Sequence, residues 1–85
     1  MSDPQFAFLV EDNAFMLTEA EWVYMATALD NQRDYTLRNL TATVQLVPLR
    51  DKRLRIWYHF ELALPGGKTA VRMVRPGDLP FFLTA

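Results

Sequence analysis

A chain of 85 residues that is 51% apolar and 22% charged, with no cysteine, describes one small globular domain spanning residues 1–85 rather than a disordered tail. Such a chain buries only about 60–65% of the surface its unfolded form exposes. With no cysteine and His59 its one histidine, it has neither a disulfide nor a structural metal to add stability, which leaves oligomerisation or a partner as the remaining aid. No cofactor motif is present.

The net charge is −1, but residues 1–42 hold seven acids against Arg33 and Arg38, and residues 43–85 hold seven bases against Asp51, Glu61 and Asp78. This polarity can steer a partner or favour head-to-tail pairing, or the two halves can neutralise each other within the domain. The start, Met1-Ser2-Asp3-Pro4, lacks a basic leader region and no long apolar run follows, so a cytoplasmic protein without a membrane segment is expected.

In chain order, Phe6-Ala7-Phe8-Leu9-Val10 reads as a first strand ending at the turn cluster Glu11-Asp12-Asn13, with Ala14-Phe15-Met16-Leu17 able to pair back. Thr18-Glu19-Ala20-Glu21 has the pattern of a capping box and starts a helix. Trp22, Met25, Ala26 and Leu29 form its apolar stripe. Val23, Tyr24 and Ala28 lie outside that stripe, which marks either an interface or a Tyr24 that simply lies along the surface. Residues 30–34 end the helix. From Tyr35 to Leu40 the apolar parity changes from odd to even, so a strand running through would need a bulge near Asn39, and the next secure strand starts at Thr41.

The second half reads as an antiparallel three-stranded meander. An odd loop at Arg50-Asp51-Lys52, closed by Leu49 and Arg53, sets Leu46 opposite Ile56 and Val44 opposite Tyr58. A two-residue Gly66-Gly67 turn would set Leu62 opposite Val71, Phe60 opposite Met73, Glu61 opposite Arg72 and His59 opposite Val74. The core face is then Val44, Leu46, Leu54, Ile56, Tyr58, Phe60, Leu62, Val71 and Met73. The expected fold is α+β: one or two short N-terminal strands, one capped helix and the meander packed on it. The apolar segment Leu79-Pro80-Phe81-Phe82-Leu83 packs either under the helix or on a neighbour.

The opposite face gathers Val47, Arg55, Trp57, His59, Arg72 and Val74, which has the composition of a contact surface. With Tyr24 on the helix, these are the candidate protein-binding residues, and His59 would make the contact respond to pH. A Thr43, His59 and Glu61 grouping is conceivable as the site of a small dimeric enzyme, but an open sheet excludes no water and offers no oxyanion hole. No catalytic or metal set is expected. Arg50, Lys52 and Arg53 crowd one hairpin tip and could meet phosphates while a base stacks on Trp57. A pI near 5.7 stands against a dedicated nucleic-acid binder. The reading that follows is a non-enzymatic interaction module, an adaptor or inhibitor with a protein partner or a second copy as a homodimer, of a kind that would suit a phage or mobile-element accessory protein. A module for RNA or single strands is the rival.

Overall fold

The computed structural model describes residues 5–78; the segment Leu79–Leu83 lies outside them. The fold is α+β. Strands β1 (Gln5–Val10) and β2 (Asn13–Thr18) form a hairpin, followed by helix α1 (Glu19–Asp30). Strands β3 (Tyr35–Leu37), β4 (Leu40–Pro48), β5 (Leu54–Ala63) and β6 (Thr69–Val74) make an antiparallel sheet in the order β3-β4-β5-β6.

The helix begins where its capping chemistry dictates. Thr18 Oγ1 accepts from the Glu21 N–H at 3.2 Å, and Glu21 Oε1 accepts from the Thr18 N–H at 2.8 Å, which satisfies two of the helix's orphan donors. It ends in a Schellman arrangement: the Arg33 N–H bonds Ala28 O and the Gln32 N–H bonds Leu29 O, with Gln32 held at φ 57°. Trp22, Met25 and Leu29 are buried, so the predicted stripe is the packed face.

The sheet has four strands, one more than the meander expected. The parity change after Leu37 is resolved by a tight turn at Arg38-Asn39 rather than by a bulge. It folds β3 back so that Tyr35 pairs with Ala42 and Leu37 with Leu40. Arg38, at φ 52°, is held there by its partners: Nη1 meets Glu21 Oε2 at 2.6 Å and Nη2 donates to Met16 O.

The β4–β5 register is as expected, with Leu46 opposite Ile56, Val44 opposite Tyr58 and the loop closed by a Leu49 N–H to Arg53 O bond. The β5–β6 register differs by one residue. The loop holds three residues, Pro65, Gly66 and Gly67, closed by a Leu64 N–H to Lys68 O bond. Both glycines are left-handed, at φ 81° and 75°, which glycine adopts without steric cost. Leu62 therefore pairs with Ala70, Phe60 with Arg72 and Tyr58 with Val74. The period of a strand is two, so this slip turns every β6 side chain over. Ala70 and Val74 are buried, while Val71 and Met73, expected in the core, are exposed on the outer face.

One core results. Phe8, Val10, Phe15 and Leu17 from the first hairpin join Trp22, Met25 and Leu29 and the inner-face residues Leu40, Ala42, Tyr58, Phe60, Leu62, Ala70 and Val74. Phe8 is the pivot, with ring centroids 4.8 Å from Phe60 and 5.6 Å from Trp22. Burial raises the Tyr58 phenol pKa above its ordinary value and the charge of Asp30 adds to the effect.

Candidate functional site

The register places Val47, Arg55, Trp57, His59 and Glu61 on the outer face, together with Val71 and Met73. The expected contact set is therefore brought together only in part. Arg72 and Val74 do not belong to it. Val74 is buried at 4% exposure. Arg72 crosses the inner side, where Nη1 donates to Leu9 O at 2.8 Å and the guanidinium lies 5.0 Å from the Phe8 ring centroid. The place expected of Arg72 beside Trp57 is taken by Arg75, whose guanidinium sits 5.2 Å from that ring. Val71 and Met73 are the face residues that sequence reasoning missed. Pro65 was the available signal, because proline presets the first position of a turn and so makes itself part of the loop.

His59 is held at one ring nitrogen, with Gln45 Nε2 2.9 Å from Nδ1. The buried Nε2 is 3.2 Å from Glu61 Oε1 but lacks the alignment of a hydrogen bond. The Thr43 hydroxyl points to the backbone oxygen of His59, at 3.5 Å, and not to the ring. Thr43, His59 and Glu61 are neighbours, but they lack the contact between nucleophile and base that acyl transfer requires. Among the described residues, no group of three or more His, Cys, Asp or Glu side chains is placed to hold a metal ion.

The more distinctive feature is an arm. Strand β3 covers β4 only at residues 40–42, and β6 covers β5 only from Tyr58 onward. Continuing the β6 register by two residues sets Pro76 opposite Ile56, where an N–H would have to donate to β5. Proline has none, so the ladder stops at Val74. Beyond these limits β4 and β5 run on as a two-stranded ribbon with no further strand beside it among the described residues. Its apolar side chains are half in water: Leu46 is 50% exposed and Leu54 56%, although both lie on the inner side, and Val47 on the outer side is 39% exposed. Four bases, Arg50, Lys52, Arg53 and Arg55, against Asp51 make the arm strongly positive. Arg53 Nε pairs with Asp51 Oδ2 at 2.5 Å, whereas Arg50, Lys52 and Arg55 have no ion pair among the described residues.

Tyr24 is 67% exposed. With Val23, Thr27, Ala28 and Tyr35 it lines an open groove of about 450 Å³ that ends at Arg33 and Asp34. The last turn of α1 has no base. The molecule thus has a basic, apolar arm and an apolar groove bordered by Arg33 and Asp34.

Among the described residues no helix is long and apolar enough to cross a membrane. Compared with protein-family models, curated proteins and solved structures, the chain matches none.

Proposed function

We propose that the protein is a non-enzymatic protein-interaction module, an adaptor or inhibitor that acts by occupying a partner's surface with its projecting arm and the adjoining Trp57 face. The observation that supports this is the ribbon itself. An isolated two-stranded hairpin is marginally stable in water, and this one holds Leu46, Leu54 and Val47 outside the core. Covering them on association would gain roughly 25 cal/mol for each Å² of apolar area. The partner that fits is a protein surface apolar at its centre and acidic at its rim, matching the arm's own distribution.

The test is affinity capture from a nuclease-treated lysate of the source cells with the intact chain and with an Arg53→Glu, Leu54→Asp variant. Both positions are exposed, so circular dichroism and melting should be nearly unchanged. A stoichiometric protein reduced at least about tenfold by the variant, a change of about 1.4 kcal/mol, is expected. Equal capture by both proteins would refute the reading.

A second reading rests on Arg50, Lys52 and Arg55, without an ion pair among the described residues, on the same arm as the half-buried Trp57 ring, which suits backbone phosphates and a stacked base. Recovery of nucleic acid in place of protein when nuclease is omitted, with binding that falls steeply as salt rises, would favour it.

A further inference from the structure

Within the reading of the arm as an interaction element, we infer that its partner is a second copy of this chain, paired edge to edge along β4 about a two-fold axis at Leu46. The inference comes from the backbone groups along the free edge. In an antiparallel ladder, successive residues direct their N–H and C=O alternately to one neighbour and then the other. The Leu49 N–H bonds Arg53 O, so the odd residues of β4 face β5 and the even ones face away.

Along the outward side, Leu40 and Ala42 pair with β3, the Val44 N–H donates to Asp34 Oδ1 at 3.2 Å, and Pro48 has no N–H. Among the described residues, Leu46 is left as the one on this side of β4 whose N–H and C=O both lack a partner. An antiparallel copy centred there sets Leu46 against its own counterpart, and a residue pair of this kind exchanges two N–H to O=C bonds. Val44 then stands opposite Pro48 of the other copy; the Val44 N–H stays with Asp34 and Pro48 has none, so the ladder between the copies is the single Leu46 pair and the Val44 and Pro48 carbonyls turn to water. The exposed Leu46 side chains, each 50% accessible in the single chain, meet on the same face.

The charges agree with this register. In the β3–β4 ladder Tyr35 lies opposite Ala42, so Asp34 stands where the second copy's β4 ends and its tip begins. Arg50 and Lys52 of one copy approach the end of α1 in the other, where Asp30 and Asp34 stand against the one base Arg33, and the two-fold repeats the contact. Pairing of this kind closes as a dimer and leaves no end to propagate.

The experiment is sedimentation equilibrium of the full chain over a wide concentration range, together with amide exchange resolved by residue. A monomer–dimer equilibrium is expected, with Leu46 N–H protection rising with concentration while the Gln45 and Val47 amides stay protected throughout. Leu46→Pro should weaken association at least tenfold and keep the monomer fold, because that N–H takes no part in the monomer's ladders. Should this variant melt early, Arg50→Glu, Lys52→Glu provides the second test. It should weaken association several-fold at low salt and little at high salt. A monomer at all concentrations, or a dimer in which Leu46 exchange and the effect of Leu46→Pro are both absent, would overturn the inference. In either case, loss of a captured partner on Arg53→Glu, Leu54→Asp would leave the interaction reading standing on its own.

Discussion

Arg38 Nη1 lies 2.6 Å from Glu21 Oε2, while the other oxygen of that carboxylate accepts the Thr18 N–H at 2.8 Å. One side chain thus closes the N-terminus of α1 and fastens the β3–β4 turn to it. The Thr18 N–H, with Arg38 adding to it and burial opposing, holds the Glu21 carboxyl pKa below its ordinary value. A lowered folded-state pKa contributes stability that is present at neutral pH and is lost as pH falls through the ordinary carboxylate range toward the lowered value. Melting temperature should therefore decline in acid. In Glu21→Gln, which keeps an acceptor for the cap but loses the ion pair, the protein should be less stable at pH 7 and its decline shallower. Thermal melts from pH 7 to pH 3 check this.

The helix terminus offers a gain. Gln32 occupies the position after the cap at φ 57°, where a side chain strains the backbone and glycine does not. Gln32→Gly should stabilise the fold by about 0.5–1 kcal/mol, read as a rise of a few degrees in Tm.

The two tryptophans should separate cleanly. Trp22 is 1% exposed and packs at a tilt against Phe8, so Trp22→Ala should cost about 3–5 kcal/mol and leave little folded protein. Trp57 is half-buried on the outer face under Arg75, so Trp57→Ala should cost about 1 kcal/mol. Urea unfolding of both variants, followed by circular dichroism, makes the comparison.

The β5–β6 register is open to a direct test with neighbouring residues. Ala70 is 2% exposed and Val71 41%. Ala70→Lys buries an unpaired charge and should cost more than about 4 kcal/mol. Val71→Lys stands in water near Glu11, which accepts the Val71 N–H at 2.6 Å, and should change stability by no more than about 0.5 kcal/mol. Equal effects at the two positions would restore the register with a two-residue turn.

Local chemistry in the chain was sufficient for several elements. Thr18 and Glu21 specify the helix start by themselves, because the capping box spans four consecutive residues. Alternation on both sides of Arg50-Asp51-Lys52 specified the β4–β5 register, since a slip would set polar residues against the core. The same logic failed for β6. Ala70, Val71, Met73 and Val74 are all apolar, so either face of that strand looked fit for the core and loop length alone separated the two registers. The turn at Arg38-Asn39 was illegible because the groups that hold Arg38 at φ 52°, Glu21 and Met16 O, lie far away in the chain.

Of the candidate contact set, Val47, Arg55, Trp57 and His59 were placed by parity, and Arg72 and Val74 were misplaced with β6. The arm was hidden for a related reason. Periodicity tells which way Leu46 and Leu54 point, but only the lengths of the neighbouring strands, set by the turn after Leu37 and by Pro76, decide that neither β3 nor β6 reaches beside them.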